Sequence, residues 1–133
     1  MRKALPGVTL CIAVALSACA TTQIGDPLVG YWRQGQEECA GSAPIHELVF
    51  EADGRFSVTW LPFETYKDYW GRWRHDRTTD RLELTVEGGN YIPADLETSG
   101  VIHLDGNALT LGQMSLGSPR GEGEVRCPAP FRR

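Results

Sequence analysis

Residues 61–75, "LPFETYKDYWGRWRH", crowd Phe63, Tyr66, Tyr69, Trp70 and Trp73 among two arginines, a lysine and two acids. Such a run can be a stacking platform, a catalytic patch or one strand of an all-β core. Side chains alternate across a strand with a period of two, and that period separates the cases. From about residue 66 to 75, Trp70, Arg72 and Arg74 share one face; Tyr69, Gly71, Trp73 and His75 share the other. The arginines belong in water, so Trp73 is expected in a core and Trp70 outside it. Gly71 is expected to relieve a bend or a bulge. One core strand thereby accounts for most of the aromatic density.

The same alternation recurs on both sides of this strand. "LVGYWR" (28–33) comes first. "IHELVF" (45–50) and "RFSVTWL" (55–61) flank an Asp53-Gly54 turn, with Phe56, Val58 and Trp60 on one face and Arg55, Ser57 and Thr59 on the other. "RLELTVE" (81–87) sets Leu82, Leu84 and Val86 against Arg81, Glu83 and Thr85. "GVIHLDGNALTLGQM" (100–114) reads as a second hairpin around 105–107. "GEVRC" (123–127) reads as the last strand, and proline is expected to keep "PAPFRR" out of any sheet. No stretch carries a helical 3.6-residue stripe, and no internal repeat occurs. About eight antiparallel strands in neighbouring order predict an all-β, up-and-down barrel, because closure removes the exposed edges.

The N-terminus assigns a compartment. Arg2 and Lys3 precede an apolar run of signal-peptide length, which ends in Leu16-Ser17-Ala18-Cys19. "LSAC" in that setting resembles the lipobox of bacterial lipoproteins; the alternative is an ordinary secretory signal with a chance cysteine. The resemblance implies cleavage before Cys19, a diacylglyceryl thioether and an acylated (palmitate-type) amine there. Ala20 resembles the residue after the cysteine in lipoproteins sent to the outer membrane. The expected layout is a signal peptide at 1–18, a lipidated tether at 19–27 and a barrel domain at 28–133. The domain would lie in the periplasm, held to the membrane by its lipid.

Charge narrows the partners. The chain carries a formal net charge of −4, and loss of Arg2 and Lys3 makes it more acidic. An acidic domain lacks the basic face that nucleic acid or anionic lipid requires. After Cys11 leaves with the signal and Cys19 takes lipid, Cys39 and Cys127 remain in an oxidising compartment, where one disulfide is the economical reading. A two-ligand metal site is the rival, but no CxxC or HxxxH spacing supports it. With the last strand at 123–127, the two cysteines would stand at opposite barrel ends, roughly 20 Å apart. Either residues 34–44 fold back, or the strand count is off by one.

"GYW", Gly30-Tyr31-Trp32, on the first strand resembles the G-x-W of lipocalin-like barrels. There the Trp plugs the closed end, and an Arg on or after the last strand packs over it. The resemblance implies a plug of Gly30 and Trp32 with Arg126 near the ring. The inward faces offer Phe50, Phe56, Trp60, Leu82, Leu84, Leu109 and Leu111, enough to fill a short barrel and to leave binding to its rim.

Motifs for chemistry are sparse. No serine sits in G-x-S-x-G, and "HELVF" begins like a zincin motif without its second His. No cofactor or metal motif is present in the sequence, and His46, His75 and His103 read as surface or rim residues. The candidate rim is Glu64, Tyr66, Asp68 and Trp70, with Tyr91 from the loop "EGGNYIPADLE" (87–97). One reading is a non-enzymatic binding module that takes an envelope protein or a small apolar or sugar ligand at that rim. The alternatives are a small periplasmic enzyme using Glu64, Asp68 and His75 as acid–base groups, or a protease-inhibitor-like barrel.

Lipid anchoring is directly testable. Metabolic palmitate labelling should mark the wild-type protein, and Cys19→Ala should leave an unlabelled species that is either uncleaved or freely soluble. Absence of label on the wild type would overturn the lipobox reading.

Overall fold

A computed structural model describes residues 25–62 and 66–133. The lipobox, Cys19 and Glu64 lie outside the described residues. Eight antiparallel strands follow one another round a nearly closed barrel: β1 (Gly30–Trp32), β2 (Glu47–Phe50), β3 (Arg55–Thr59), β4 (Tyr69–Asp76), β5 (Arg81–Gly89), β6 (Ser99–Asp105), β7 (Ala108–Leu111) and β8 (Phe131–Arg132). Arg33 and Arg132 close the ring. Each backbone N–H donates to the other's carbonyl at 2.8 Å.

The expected alternation along β4 is observed. Tyr69, Gly71, Trp73 and His75 point inward, while Trp70, Arg72, Arg74 and Asp76 point outward. Trp73 is buried, and its indole N–H donates to the carbonyl of Glu51 at 3.0 Å. The register slips between Trp70 and Gly71, the bulge that the glycine suggested. A Cβ at Gly71 would stand 1.9 Å from the carbonyl oxygen of Thr85, so no side chain fits there. On β3 the inward Phe56, Val58 and Trp60 are buried as expected, but Ser57 and Thr59 are buried too. The turns at Gly54 and Gly106 take positive φ, 90° and 57°.

The interior is filled. Phe50, Phe56, Trp60, Tyr69, Trp73, Leu82, Leu84 and Leu109 all lie in one core, with Leu111 packed at its margin. Phe50 meets Trp73 edge-on at 5.2 Å, and Phe56 meets Tyr69 at 6.1 Å.

The closed end departs from expectation in two respects. Packing begins ahead of residue 28, because Asp26 is already buried. Its carboxylate accepts from the N–H of Leu28 at 2.9 Å and lies 2.9 Å from Nδ1 of His75. His75 is therefore a buried partner of the lead-in and not a rim residue. Trp32 is 1% exposed, and its indole N–H donates to the carbonyl of Leu28 at 2.8 Å. The arginine over its ring is Arg133, with Cζ 4.3 Å from the ring centroid, and not Arg126.

That correction follows from where the last strand falls. Residues 123–127 contribute only a single parallel bridge, Ala43 to Arg126, whereas β8 lies in the "PAPFRR" tail, beyond its prolines. Pro128 and Pro130 precede the strand and so cost it no ladder bond. Arg126 instead hydrogen-bonds the hydroxyl of Ser115. Residues 112–130 become one long connection over the mouth of the barrel, and it includes Cys127. Cys39, in the β1–β2 connection, is at the same end. The Cys39–Cys127 disulfide forms without distortion of the strands, Cα to Cα 5.3 Å, across a sequence separation of 88. A crosslink over so long a loop stabilises by about 4–5 kcal/mol in the chain-entropy account.

Met114 and Leu116 from this mouth connection complete the core. Tyr69 donates its hydroxyl to the carbonyl of Leu116 at 2.7 Å. Buried Gln34 does the same job opposite. Its amide donates to the carbonyls of Cys127 and Ala129 and accepts from the N–H of Ile45.

Trp32→Ala should therefore cost about 3–5 kcal/mol, the range for a truncated core aromatic, measured by denaturant unfolding. A loss below about 1 kcal/mol would be that of a surface site and would contradict a plug.

Candidate functional site

The mouth carries a predominantly apolar cleft of about 320 Å³. Three connections build it. The β1–β2 connection brings Ala43, Pro44 and His46; the β3–β4 connection brings Trp60, Leu61, Tyr66 and Asp68; the mouth connection brings Pro119, Arg120 and Glu124. Leu61, 65% exposed, forms an apolar lip. Proline supplies two of the walls at no cost in backbone N–H groups, which suits a surface left without water on one side.

Asp68 lies at the base, 3% exposed. The chain turns there because its Oδ2 accepts from the backbone N–H of Trp60 at 2.8 Å and its own N–H donates to the carbonyl of Val58. Burial pushes the Asp68 carboxyl above its ordinary value, and the bond from Trp60 only partly offsets this. Its Oδ1 accepts from Nη2 of Arg120 at 3.3 Å. The Arg120 guanidinium lies between two rings, 5.1 Å from the centroid of Tyr66 and 5.3 Å from that of Tyr91. Tyr91 in turn meets Trp60 edge-on at 6.1 Å and donates its hydroxyl to the carbonyl of Ser118. Burial, then the charges of Asp95 and Asp68, raise the Tyr91 hydroxyl above its usual pKa. Asp95 itself is held below the usual carboxylate range by the hydroxyl and N–H of Ser118.

Of the rim residues expected from sequence, Tyr66, Asp68 and Tyr91 are brought together, and the residue that joins them is Arg120. Trp70 is not part of this group. It is exposed on the outer wall of β4, its ring against Gly88, where a Cβ would approach to 3.0 Å. Tyr91 is half-buried and belongs to the wall beneath Arg120, not to a free loop tip. Asp68 and His75 stand at opposite ends of the eight-residue β4, about 23 Å apart, so no acid–base pair forms between them. Sequence reasoning missed Arg120 and Pro119, while His46, read as a surface or rim residue, does line the cleft. An arginine in "GSPRGEG" looks like any solvated loop cation, and nothing local marks it as a cleft residue.

Among the described residues, no group of three His, Cys, Asp or Glu side chains stands close enough to hold a metal ion. Both candidate cysteine ligands are committed to the disulfide. No protein-family model, curated protein or solved structure matches this chain.

The raised carboxyl gives a pH dependence with a definite sign. Protonation of Asp68 is favoured more in the folded than in the unfolded chain. Its contribution is fully present below the unfolded value near 3.8 and is lost as pH rises through the higher folded value. The stability of Asp68→Asn relative to wild type should thus improve as pH rises from about 3.8 towards neutrality. Parallel melting curves across that range check this; a difference that does not vary with pH would contradict it.

Proposed function

We propose that this chain is a lipid-anchored protein of the bacterial envelope whose barrel acts as a non-enzymatic binding module, with the mouth cleft as its binding surface. The observation that carries the reading is the contrast between a filled interior and an apolar cleft at one end. Among the described residues, seventeen buried side chains form the core, including Met114 and Leu116 from the mouth connection, so a ligand stored inside the barrel would have to displace them. A concavity near 320 Å³ with apolar walls and a few convergent polar groups is at the small end of binding pockets.

Orientation supports the same reading. The chain reaches the barrel through residues 25–28, which pack at the closed end beside His75 and Trp32. A lipid on Cys19, seven residues before Asp26, would hold that end within about 25 Å of the bilayer. The mouth would then face away from the membrane, where an envelope partner is accessible. The resemblance of Gly30-Tyr31-Trp32 to lipocalin-like barrels agrees with a binding role, and the acidic total of −4 disfavours nucleic acid.

His46→Ala combined with Leu61→Asp alters the cleft at positions that carry little of the fold. The pair should leave the melting temperature within a few degrees of wild type. It should also abolish recovery of the partner that the wild-type protein retains from envelope extract under crosslinking. Undiminished recovery would place binding elsewhere on the surface.

A further inference from the structure

Arg120 is the least anchored member of the mouth cluster. Among the described residues its one hydrogen bond to a side chain is the 3.3 Å contact with Asp68, and its own side chain is 54% exposed. It belongs to a run, 120–126, in which every residue is exposed, and Gly121 and Gly123 both take positive φ. The groups around it are the reverse. Asp68 is fixed by the N–H of Trp60, Tyr91 by the carbonyl of Ser118, and Trp60 is packed against both Tyr69 and Tyr91. A cage of two aromatic faces and one buried carboxylate thus holds a half-exposed cation.

We propose that this cage is a receptor for the guanidinium of an arginine on a partner polypeptide, with Arg120 as the resident occupant that the incoming arginine replaces. The proposal rests on the binding-module reading and specifies what that module recognises. The surroundings of Arg120 support it. The cage chemistry is selective: opposed tyrosine faces and a carboxylate favour a planar cation that stacks and hydrogen-bonds at once. The carboxylate is buried, and Arg120 meets it through a single long contact, Nη2 to Oδ1 at 3.3 Å. The cleft continues beyond the guanidinium between Pro44, Pro119 and the Leu61 lip, leaving room for the backbone that would carry an arginine in. Arg120 itself comes from a Ser-Pro-Arg-Gly loop segment that bends at Arg120, so a loop-borne arginine fits the cage.

The test removes the resident and supplies a replacement. Full-length protein in detergent is titrated with the blocked peptide Gly-Ser-Pro-Arg-Gly-Glu and with its citrulline counterpart, which keeps the shape and loses the charge. If Arg120 fills the cage nine-tenths of the time, Arg120→Ala should bind the arginine peptide about tenfold more tightly than wild type. Adding Asp68→Asn should cancel that gain, and the citrulline peptide should bind neither protein. Arg120→Met, which retains an aliphatic stem between the rings, is the second variant should Arg120→Ala melt. Equal affinity of wild type and both Arg120 variants, no binding to either variant, or equal binding of the citrulline peptide would overturn the proposal. Should the cage fail while partner recovery still depends on His46 and Leu61, only this inference falls; should recovery ignore the cleft, the binding-module reading falls with it.

Discussion

Everything in this barrel depends on a seam one residue pair wide. Seven of the eight strand junctions are ordinary antiparallel ladders, but β1 meets the last strand only through Arg33 and Arg132. A sheet that failed to join there would expose two edges and the core behind them. The pair of backbone bonds is reinforced from every side. Arg133 stacks on Trp32 and donates to the carbonyl of Pro27; Arg132 pairs with Glu38; Gln34, next along from Arg33, reaches Cys127 and Ala129. The Arg132–Glu38 pair adds little by itself, since exposed ion pairs contribute about 1 kcal/mol or less. Their common effect is to hold a two-residue strand in register, and the disulfide holds the connection that delivers it.

This arrangement explains why concavity appears at the mouth and not in the lumen. Short strands give a narrow barrel, and aromatic side chains of the neighbouring strands β2, β3 and β4 pack together inside it. The remaining opening is stopped by Met114 and Leu116, which arrive on the connection that must cross the mouth to reach β8. Covering the mouth in this way leaves a gap between the crossing chain and the neighbouring loops. The cleft is that gap, lined by prolines and by one edge of Trp60.

Much of the barrel was legible because its strands obey a period of two. The alternation along 69–76 placed Trp73 inside and Trp70 outside, and Gly71 announced the bulge. Two features escaped that signal. A strand of two residues, Phe131 and Arg132, has no period to read, and the prolines before it argue the wrong way. Misplacing that strand at 123–127 chose Arg126 over Arg133 for the Trp32 plug and made the disulfide look too long. The second is burial of charge: Asp26 and His75 read as tether and rim, yet each satisfies the other inside. Of the site, Tyr66, Asp68 and Tyr91 were visible as aromatic and acidic residues on connections. Arg120 was not, because what joins it to them is the fold of a connection that no local pattern specifies.

The same connection serves both halves of the molecule, and its fixed points divide the labour. It is bound tightly at 114–116, through core packing and the Tyr69 hydroxyl, and again at Cys127, through the disulfide and Gln34. Between those points, the exposed run 120–126 is attached by Arg120 at the cage, by Arg126 at Ser115 and by the bridge at Ala43. The seam draws its stability from the fixed points and not from Arg120. Releasing Arg120 from the cage therefore need not open the barrel. A contact that can exchange its partner is tolerable only where the closure of the sheet does not depend on it, and the disulfide is what creates such a place in so small a domain.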